Sequence, residues 1–467
     1  MKPFVAAVLM LAAPVLAACA AVGPDYHGPR SALPESPAAA GDFAAGRAGA
    51  FTDQPVPGDW WRLYQDPRLD ALVAGALGAN TDLRVAAANI ELAGARLREA
   101  ETARLVQTAV NGGAAVERTP DTGNKTMGVY SVAPAISYEI DLVGRIRRLT
   151  EAASADADAA QAAYDLARVG VAANVVAAYA DYCGAGYQRA AAERNLDVQR
   201  RSLTVTERLI AAGRATALDR SRGEALVEQL RAAIPQFTAA RESARVRLAV
   251  LSARVPADAP DLGECAAPPA LARPLPVGDG AALIRRRPDI RQAERQLAAA
   301  TARIGVATAE LYPSVHLDGS LGMGGPLSQF ASGSSFRFNI GPLISWTFPN
   351  TSVARARIAQ AEAGEKLALA RFDGQVLTAL KEVETALTAY AHDLEENAAL
   401  QAARGQAETA AGQARRLYQA GREGYLTVLD AERTQASVQA AAAASDVKLS
   451  RDQITLFLAL GGGWQAE

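Results

Sequence analysis

The sequence predicts a mainly α-helical chain with a small β part, in which long coiled-coil hairpins and four short strands are laid out twice in tandem. Three observations carry this prediction. Proline is absent between Ala135 and Ile234 and again from Asn350 to the C-terminus, so helices can run unbroken through both windows. Four short segments outside those helices switch to an alternating pattern of Gly, Ser, β-branched and aromatic residues. The chain also repeats itself at a shift of 207 to 208 residues. Composition agrees, since 467 residues rich in Ala, Leu, Arg, Glu and Gln, with 6% aromatic and 21% charged, suit long helices better than a compact α/β enzyme. A net charge of −2 argues against a polyanionic partner and hence against nucleic acid.

The first element is a secretion signal over residues 1–18: Lys2, an apolar stretch from Phe4 to Ala18, and a small-residue cleavage zone. It ends in "LAAC", Leu16 to Cys19, the pattern at which bacterial lipoproteins are cleaved and lipidated, palmitate included, on the new N-terminal cysteine. The alternative is an ordinary signal peptide that leaves Cys19 as a thiol. Ala20 follows, and not the aspartate that retains lipoproteins at the inner membrane, which favours the outer membrane of a Gram-negative cell. Residues 19–58, rich in Pro, Gly and Ala with no period, read as an extended lipidated tether. No later apolar run reaches the roughly 18 residues of a spanning helix, so any membrane crossing must use strands.

A first repeat is expected over residues 59–270 and a second over 271–467. "TDLRVAAANIELAGARLREA" (Thr81 to Ala100) lies over "PDIRQAERQLAAATARIGVA" (Pro288 to Ala307), and further along Tyr138 falls on Trp346, Gly213 on Gly421 and Glu224 on Glu432. Ile290, Ala293, Leu297, Ala300, Ile304, Ala307 and Leu311 recur every three and four residues, the pattern of a coiled-coil seam; a helix against a globular core would show a wider stripe. The proline-free windows give helices from about Asp141 to Ala211 and over about 70 residues after Pro349, each on the order of 100 Å long. Each such helix stops at a glycine turn, near Gly213 and near Gly421, which makes two helical hairpins.

The strand segments are about residues 107–117 and 127–140 in the first repeat and 314–323 and 336–348 in the second. They have the length that lets a tilted strand cross a bilayer, and the loops between them are polar and Gly-rich. A soluble pair of β-hairpins is the alternative. Four strands cannot close a barrel, and an open edge in lipid leaves backbone groups unsatisfied. Two copies would give eight strands and a filled interior, whereas three give twelve and leave room for a bore.

These residues resemble the TolC-like outer membrane efflux proteins, in their lipoprotein, NodT-type branch. The likeness runs through "VGPDY" (Val22 to Tyr26), "YEIDLVGRIRR" (Tyr138 to Arg148), "RRRPDIRQAERQLAAATARIGVATAELYPSVHL" (Arg285 to Leu317), "EVETAL" (Glu382 to Leu387) and "YQAGREGYLTVLDAER" (Tyr418 to Arg433). The resemblance implies a homotrimer with a twelve-stranded transmembrane barrel and a twelve-helix periplasmic tunnel. It also implies a periplasmic adaptor and an inner-membrane pump, commonly of the resistance-nodulation-division type, as partners beside outer membrane lipid. Gly213, Tyr418, Gly421 and Gly424 then mark the hairpin tips and adaptor contacts. Leu426 and Asp430, four residues apart on one helical face, match the family's periplasmic gate. Three copies of Asp430 around an axis would repel one another and attract cations. The chain departs from other branches in carrying Thr427 where they have an aspartate and Glu423 where they have a basic residue. A solvated surface carboxylate remains the alternative for Asp430, and seam packing for Leu426.

Cys183 lies about 45 Å up one helix from the Gly213 turn, and the return helix ends about 57 Å up, just before Cys265. In an oxidising compartment this favours a Cys183–Cys265 disulfide over two unpaired thiols. No catalytic, cofactor or metal motif is present: His27, His316 and His392 are scattered, "GSLGMGG" lacks the phosphate-loop spacing, and the arginine runs "RIRR" and "RRR" read as solvated faces or interchain pairs. An enzyme is therefore not expected. The function expected is a gated duct that conducts drug-like or toxic small molecules from a partner pump to the outside. The alternatives are a type I protein-secretion duct and a lipid-anchored periplasmic coiled-coil scaffold.

Overall fold

The computed structural model describes residues 21–47, 49–118, 124–271, 274–330 and 332–462. The signal segment and Cys19 lie outside the described residues. The main helices are α1 (Pro67–Ala79), α2 (Thr81–Thr102), α3 (Arg145–Ala211), α4 (Ala217–Ala232), α5 (Ile234–Leu251), α6 (Gly280–Arg286), α7 (Pro288–Ala309), α8 (Ser352–Gln419) and α9 (Tyr425–Ala459). Four longer strands are β1 (Gln107–Glu117), β2 (Met127–Ile140), β3 (Ser314–Pro326) and β4 (Phe336–Ser345). The duplication is visible in lengths: α2 and α7 have 22 residues each, and α3 and α8 have 67 and 68. At 1.5 Å per residue the last two are about 100 Å rods. Among the described residues no helix is long and apolar enough to cross a membrane.

The chain forms two compact units. The first contains the N-terminal segment up to Ser31, Ala88–Ala162 and Arg291–Gly374; the second contains Ala32–Ala87, Ala163–Ile290 and the chain from Gln375 onward.

In the first unit the strands form one antiparallel sheet in the order β1-β2-β3-β4. Its register sorts the side chains. Val110 pairs with Pro134, Tyr138 with Leu317, Leu321 with Phe338 and Met323 with Phe336, so apolar residues share one face. Gln107 pairs with Ser137, Glu139 with His316, and Ser320 with Asn339, so polar residues share the other. Both faces are open: Phe338 is 73% and Ile340 70% exposed, and β1 is exposed along almost its whole length. Among the described residues the outer edges of β1 and β4 are not paired with any strand, which leaves each a ready template for a strand of another copy. β4 stops at Ser345 and not at residue 348 because its last partner is Ser314, where β3 begins.

Helix α3 starts where Asp141 accepts the N–H groups of Ile146 (3.1 Å) and Arg147 (2.9 Å), filling orphan donors of the first turn. Beside it the N-terminal segment is docked, not free. Val22 donates its N–H to the Val143 carbonyl at 2.9 Å, and the Arg148 guanidinium donates to the Val22 carbonyl at 3.1 Å and to Asp25 at 2.6 Å. Tyr26 reaches Glu294 at 3.3 Å and packs against Ala155, Ala298 and Ala299. Helix α7 is therefore buried on a wider face than a two-helix seam requires. Arg148, only 2% exposed, corrects the reading of its arginine run as a solvated face.

In the second unit Trp60 stacks on Phe457 with ring centroids 4.9 Å apart, and a parallel pair joins Phe51–Thr52 to Leu275–Pro276. The second arginine run is also internal: Arg287 binds Asp289 at 2.6 Å, Glu382 at 2.8 Å and the Ala459 carbonyl at 2.8 Å. Arg286 donates to the Val56 carbonyl at 2.5 Å, and burial lowers its pKa. Arg148, Arg286 and Arg287 are intrachain anchors because each guanidinium reaches a backbone carbonyl more than a hundred residues away in sequence. Helices α4 and α5 are divided at Ala233, one turn boundary before Pro235, which cannot supply an N–H inside a helix.

Candidate functional site

The glycine turns are built alike. At the end of α3, Gly213 adopts φ +70°, its N–H donates to the Ile210 carbonyl (2.9 Å), and Arg214 donates to the Leu209 carbonyl (2.8 Å). At the end of α8, Gly421 also has φ +70°, with N–H bonds to Tyr418 (2.9 Å) and from Arg422 to Leu417 (2.9 Å). This paired bonding is the Schellman stop, and its left-handed residue is glycine because a Cβ is disfavoured there.

The outgoing helices differ. Helix α4 opens with a capping box: the Thr216 hydroxyl accepts the Asp219 N–H at 3.3 Å and the Asp219 carboxylate accepts the Thr216 N–H at 2.9 Å. At a shift of 208 these become Gly424 and Thr427. Gly424 is the N-cap of α9 and offers no side chain, and the Thr427 hydroxyl turns back to Glu423 at 3.2 Å. The second tip thus starts a helix without a side-chain bond from its N-cap residue.

A small core joins the two hairpins. Tyr418 and Tyr425 have ring centroids 5.5 Å apart and are buried with Leu226, Ala414, Val428 and Leu429. Tyr425 lies over Gly223, where a Cβ would come within 2.6 Å of its hydroxyl and 3.0 Å of Leu203. Burial pushes the Tyr425 hydroxyl up to about 12, with Glu432 adding to the shift. Because Tyr425, Val428 and Leu429 face this core, the helical period turns Leu426 and Asp430 outward. Leu426 is 61% exposed, and Asp430 is exposed and makes no ion pair among the described residues. Gly213, Gly421 and Gly424 are exposed at the turns, whereas Tyr418 is turned into the core and has little surface for a partner.

Cys183 and Cys265 are disulfide-bonded, with Sγ–Sγ 2.07 Å, and Cys183 is buried. The link closes a connector that Tyr182 also holds, its hydroxyl donating to the Gly263 carbonyl at 2.7 Å, with Arg241 over the Tyr182 ring at 4.5 Å.

Four features of the tips escaped sequence reasoning: the capping box, the Tyr425 seat on Gly223, the burial of Glu432 and its pairing with Arg415. The Thr-x-x-Asp spacing at Thr216 carries a signal for the first. The others depend on which way each helix face turns.

Comparison with known proteins places this geometry. The family model for outer membrane efflux proteins matches twice, over residues 72–254 and 281–462, one match per repeat. Outer membrane protein OprJ of Pseudomonas aeruginosa is 32% identical over 99% of this chain and 97% of its own. Nodulation protein T of Rhizobium leguminosarum bv. viciae is 31% identical over 97% of this chain and 92% of its own. The structure of the outer-membrane channel OprN superposes with a TM-score of 0.88 at 36% identity, covering 95% of this chain and all of that one. OprJ is named an outer membrane protein and OprN an outer-membrane channel, and a mostly helical chain with two glycine-ended hairpins and one amphipathic sheet fits those descriptions. The chain belongs to the outer membrane efflux protein family.

Proposed function

We propose that three copies of this chain form the outer membrane exit duct of a tripartite efflux system, passing small molecules that an inner-membrane pump selects and a periplasmic adaptor hands over. The observation that carries this reading is the sheet. One apolar and one polar face, both uncovered, with two open edges, is what a barrel segment needs: lipid on one side, water on the other, and a neighbouring copy at each edge. The pump is proposed to be of the resistance-nodulation-division type, the type common to this family. Nothing in the duct reading asks the chain to supply energy or chemistry.

Residues 1–18 are proposed to be removed and Cys19 lipidated. In support, Ala21, two residues from Cys19 in sequence, is held beside Gly144, four residues past the end of β2. Leu426 and Asp430 are proposed as the gate, with Gly213, Gly421 and Gly424 forming the rim that meets the adaptor. A ring of three Asp430 carboxylates draws cations into the narrowed tip, and a cation held between them bridges the three copies and helps to keep the tip shut.

The test is conductance of the purified lipidated trimer in planar bilayers, wild type beside Asp430→Ala, with trimer mass measured in the same detergent. Small flickering currents that grow in the variant are expected. No current from either protein, with the trimer intact, would overturn the duct in favour of a scaffold.

A further inference from the structure

The carboxylate that sits between the two hairpins is Glu432, which is not one of the gate residues. It is 4% exposed. Its Oε1 lies 3.4 Å from Arg415 Nη1, long for a charge-assisted bond, and its Oε2 has no hydrogen-bond partner. Facing it from α3 are Ser202 and Gln199, whose polar side chains favour the charged carboxylate; Gln199 is 2% exposed, and its Nε2 makes no hydrogen bond of good geometry among the described residues. The site thus joins α3 of the first hairpin to α8 and α9 of the second and leaves a donor and an acceptor poorly satisfied.

The duplication supplies the contrast. Glu224, the equivalent residue of the first repeat, is exposed and, among the described residues, pairs with Arg220 on its own helix at 4.0 Å. One carboxylate is solvated, and its copy is buried in the joint that holds the second tip.

We propose that Glu432 is a positioning residue of the gate, whose charge in an incompletely satisfied pocket keeps the closed packing of α9 marginal so that the second tip can release. The inference rests on the reading of these tips as the gate. A buried carboxylate with one oxygen unpaired is costly, whereas a neutral amide of the same shape presents both a donor and an acceptor to Gln199 and Ser202. Arg415, with 28% of its side chain exposed, stays solvated when the carboxylate is neutralised.

The same geometry makes the joint respond to pH. Burial pushes the Glu432 carboxyl above the ordinary range, while Ser202, Arg415 and Gln199 pull the other way without reversing it. The titratable or charged groups facing this pocket are Arg415 and Tyr418 from α8 and Tyr425 from α9; α3 presents the uncharged Gln199, Ser202 and Thr206, and α4 presents Leu226. The carboxyl binds a proton more tightly in the closed tip than after α9 has swung out. Acidification therefore favours closure, and rising pH favours release, by up to about tenfold in the open-to-closed ratio per unit of pKa difference between the two states.

Single-channel recording of the reconstituted full-length trimer, as pH is raised from acid to neutral, tests this. Wild type is expected to open more as pH rises. Glu432→Gln is expected to hold the open fraction near the wild-type acid value at every pH, and Gln199→Met, which removes the facing amide, to raise it. Asp430→Ala serves as the control for conduction. Glu432→Gln with an unchanged or increased open fraction, or with the wild-type pH profile, would overturn the inference, as would a Gln199→Met variant that opens no more than wild type. Absence of current in wild type and Asp430→Ala alike would instead overturn the duct reading on which it rests.

Discussion

Grafting the capping box of the first tip onto the second should make the second tip harder to open. The two positions are Gly424 and Thr427, equivalent to Thr216 and Asp219. Gly424 has φ −78° and ψ 156°, close to the −113° and 162° of Thr216, and a Cβ there would meet nothing within 4 Å. Threonine therefore fits without strain. A threonine cap gains only a few tenths of a kcal/mol over glycine, and the reciprocal bond from Thr427→Asp adds a second satisfied donor. The new carboxylate in the first turn of α9 adds about 0.3–1 kcal/mol with the helix dipole, and loss of the glycine's unfolded-state freedom adds about 0.4–1 kcal/mol. Against these stand repulsion from Glu423 and loss of the exposed Thr427–Glu423 bond, both screened at ordinary salt. The net is about 1–2 kcal/mol, or roughly five- to thirtyfold in a local opening equilibrium. Hydrogen exchange of the peptide spanning residues 424–430 in the trimer measures it, and its protection should rise by about tenfold. Unchanged exchange in a folded Gly424→Thr/Thr427→Asp trimer would refute the argument that missing caps loosen this tip.

Other expectations follow from single contacts. Gly223→Ala places a methyl within 2.6 Å of the Tyr425 hydroxyl, so it should cost about 1–3 kcal/mol of tip packing and increase bilayer current. Removing the disulfide with Cys183→Ser/Cys265→Ser releases a link across 82 residues and should destabilise the protein by about 2–5 kcal/mol, read as a lower midpoint in denaturant under non-reducing conditions. Arg148→Met removes the donor that holds the Val22 carbonyl and Asp25, so residues 21–31 should become open to limited proteolysis while the trimer persists.

What could be read from the sequence was what is periodic or local. The equal helices α3 and α8, their glycine stops and the alternating strands each announce themselves over a few turns or residues. The shared outward face of Leu426 and Asp430 was legible in the same way, because they lie four apart on a helix whose other face carries Tyr425, Val428 and Leu429. Long-range pairing was not legible. Residues 21–31 have no period, and their order comes from Arg148, more than a hundred residues away. The arginine runs looked solvated because only tertiary structure brings Asp25 to Arg148 and Glu382 to Arg287. Glu224 and Glu432 occupy equivalent places in the repeat, yet one is exposed and the other buried, a distinction that only tertiary packing makes.

The most direct test of the central claim is the water accessibility of β4, one residue at a time. Single cysteines in place of Arg337, Asn339 and Gly341 on one face, and of Phe338, Ile340 and Ile344 on the other, are treated with a membrane-impermeant thiol reagent in reconstituted trimers. A barrel in lipid predicts that the first set reacts through the water-filled bore and that the second is protected. Equal reaction of both sets, with trimers intact, would contradict a membrane-spanning duct and leave the sheet in water.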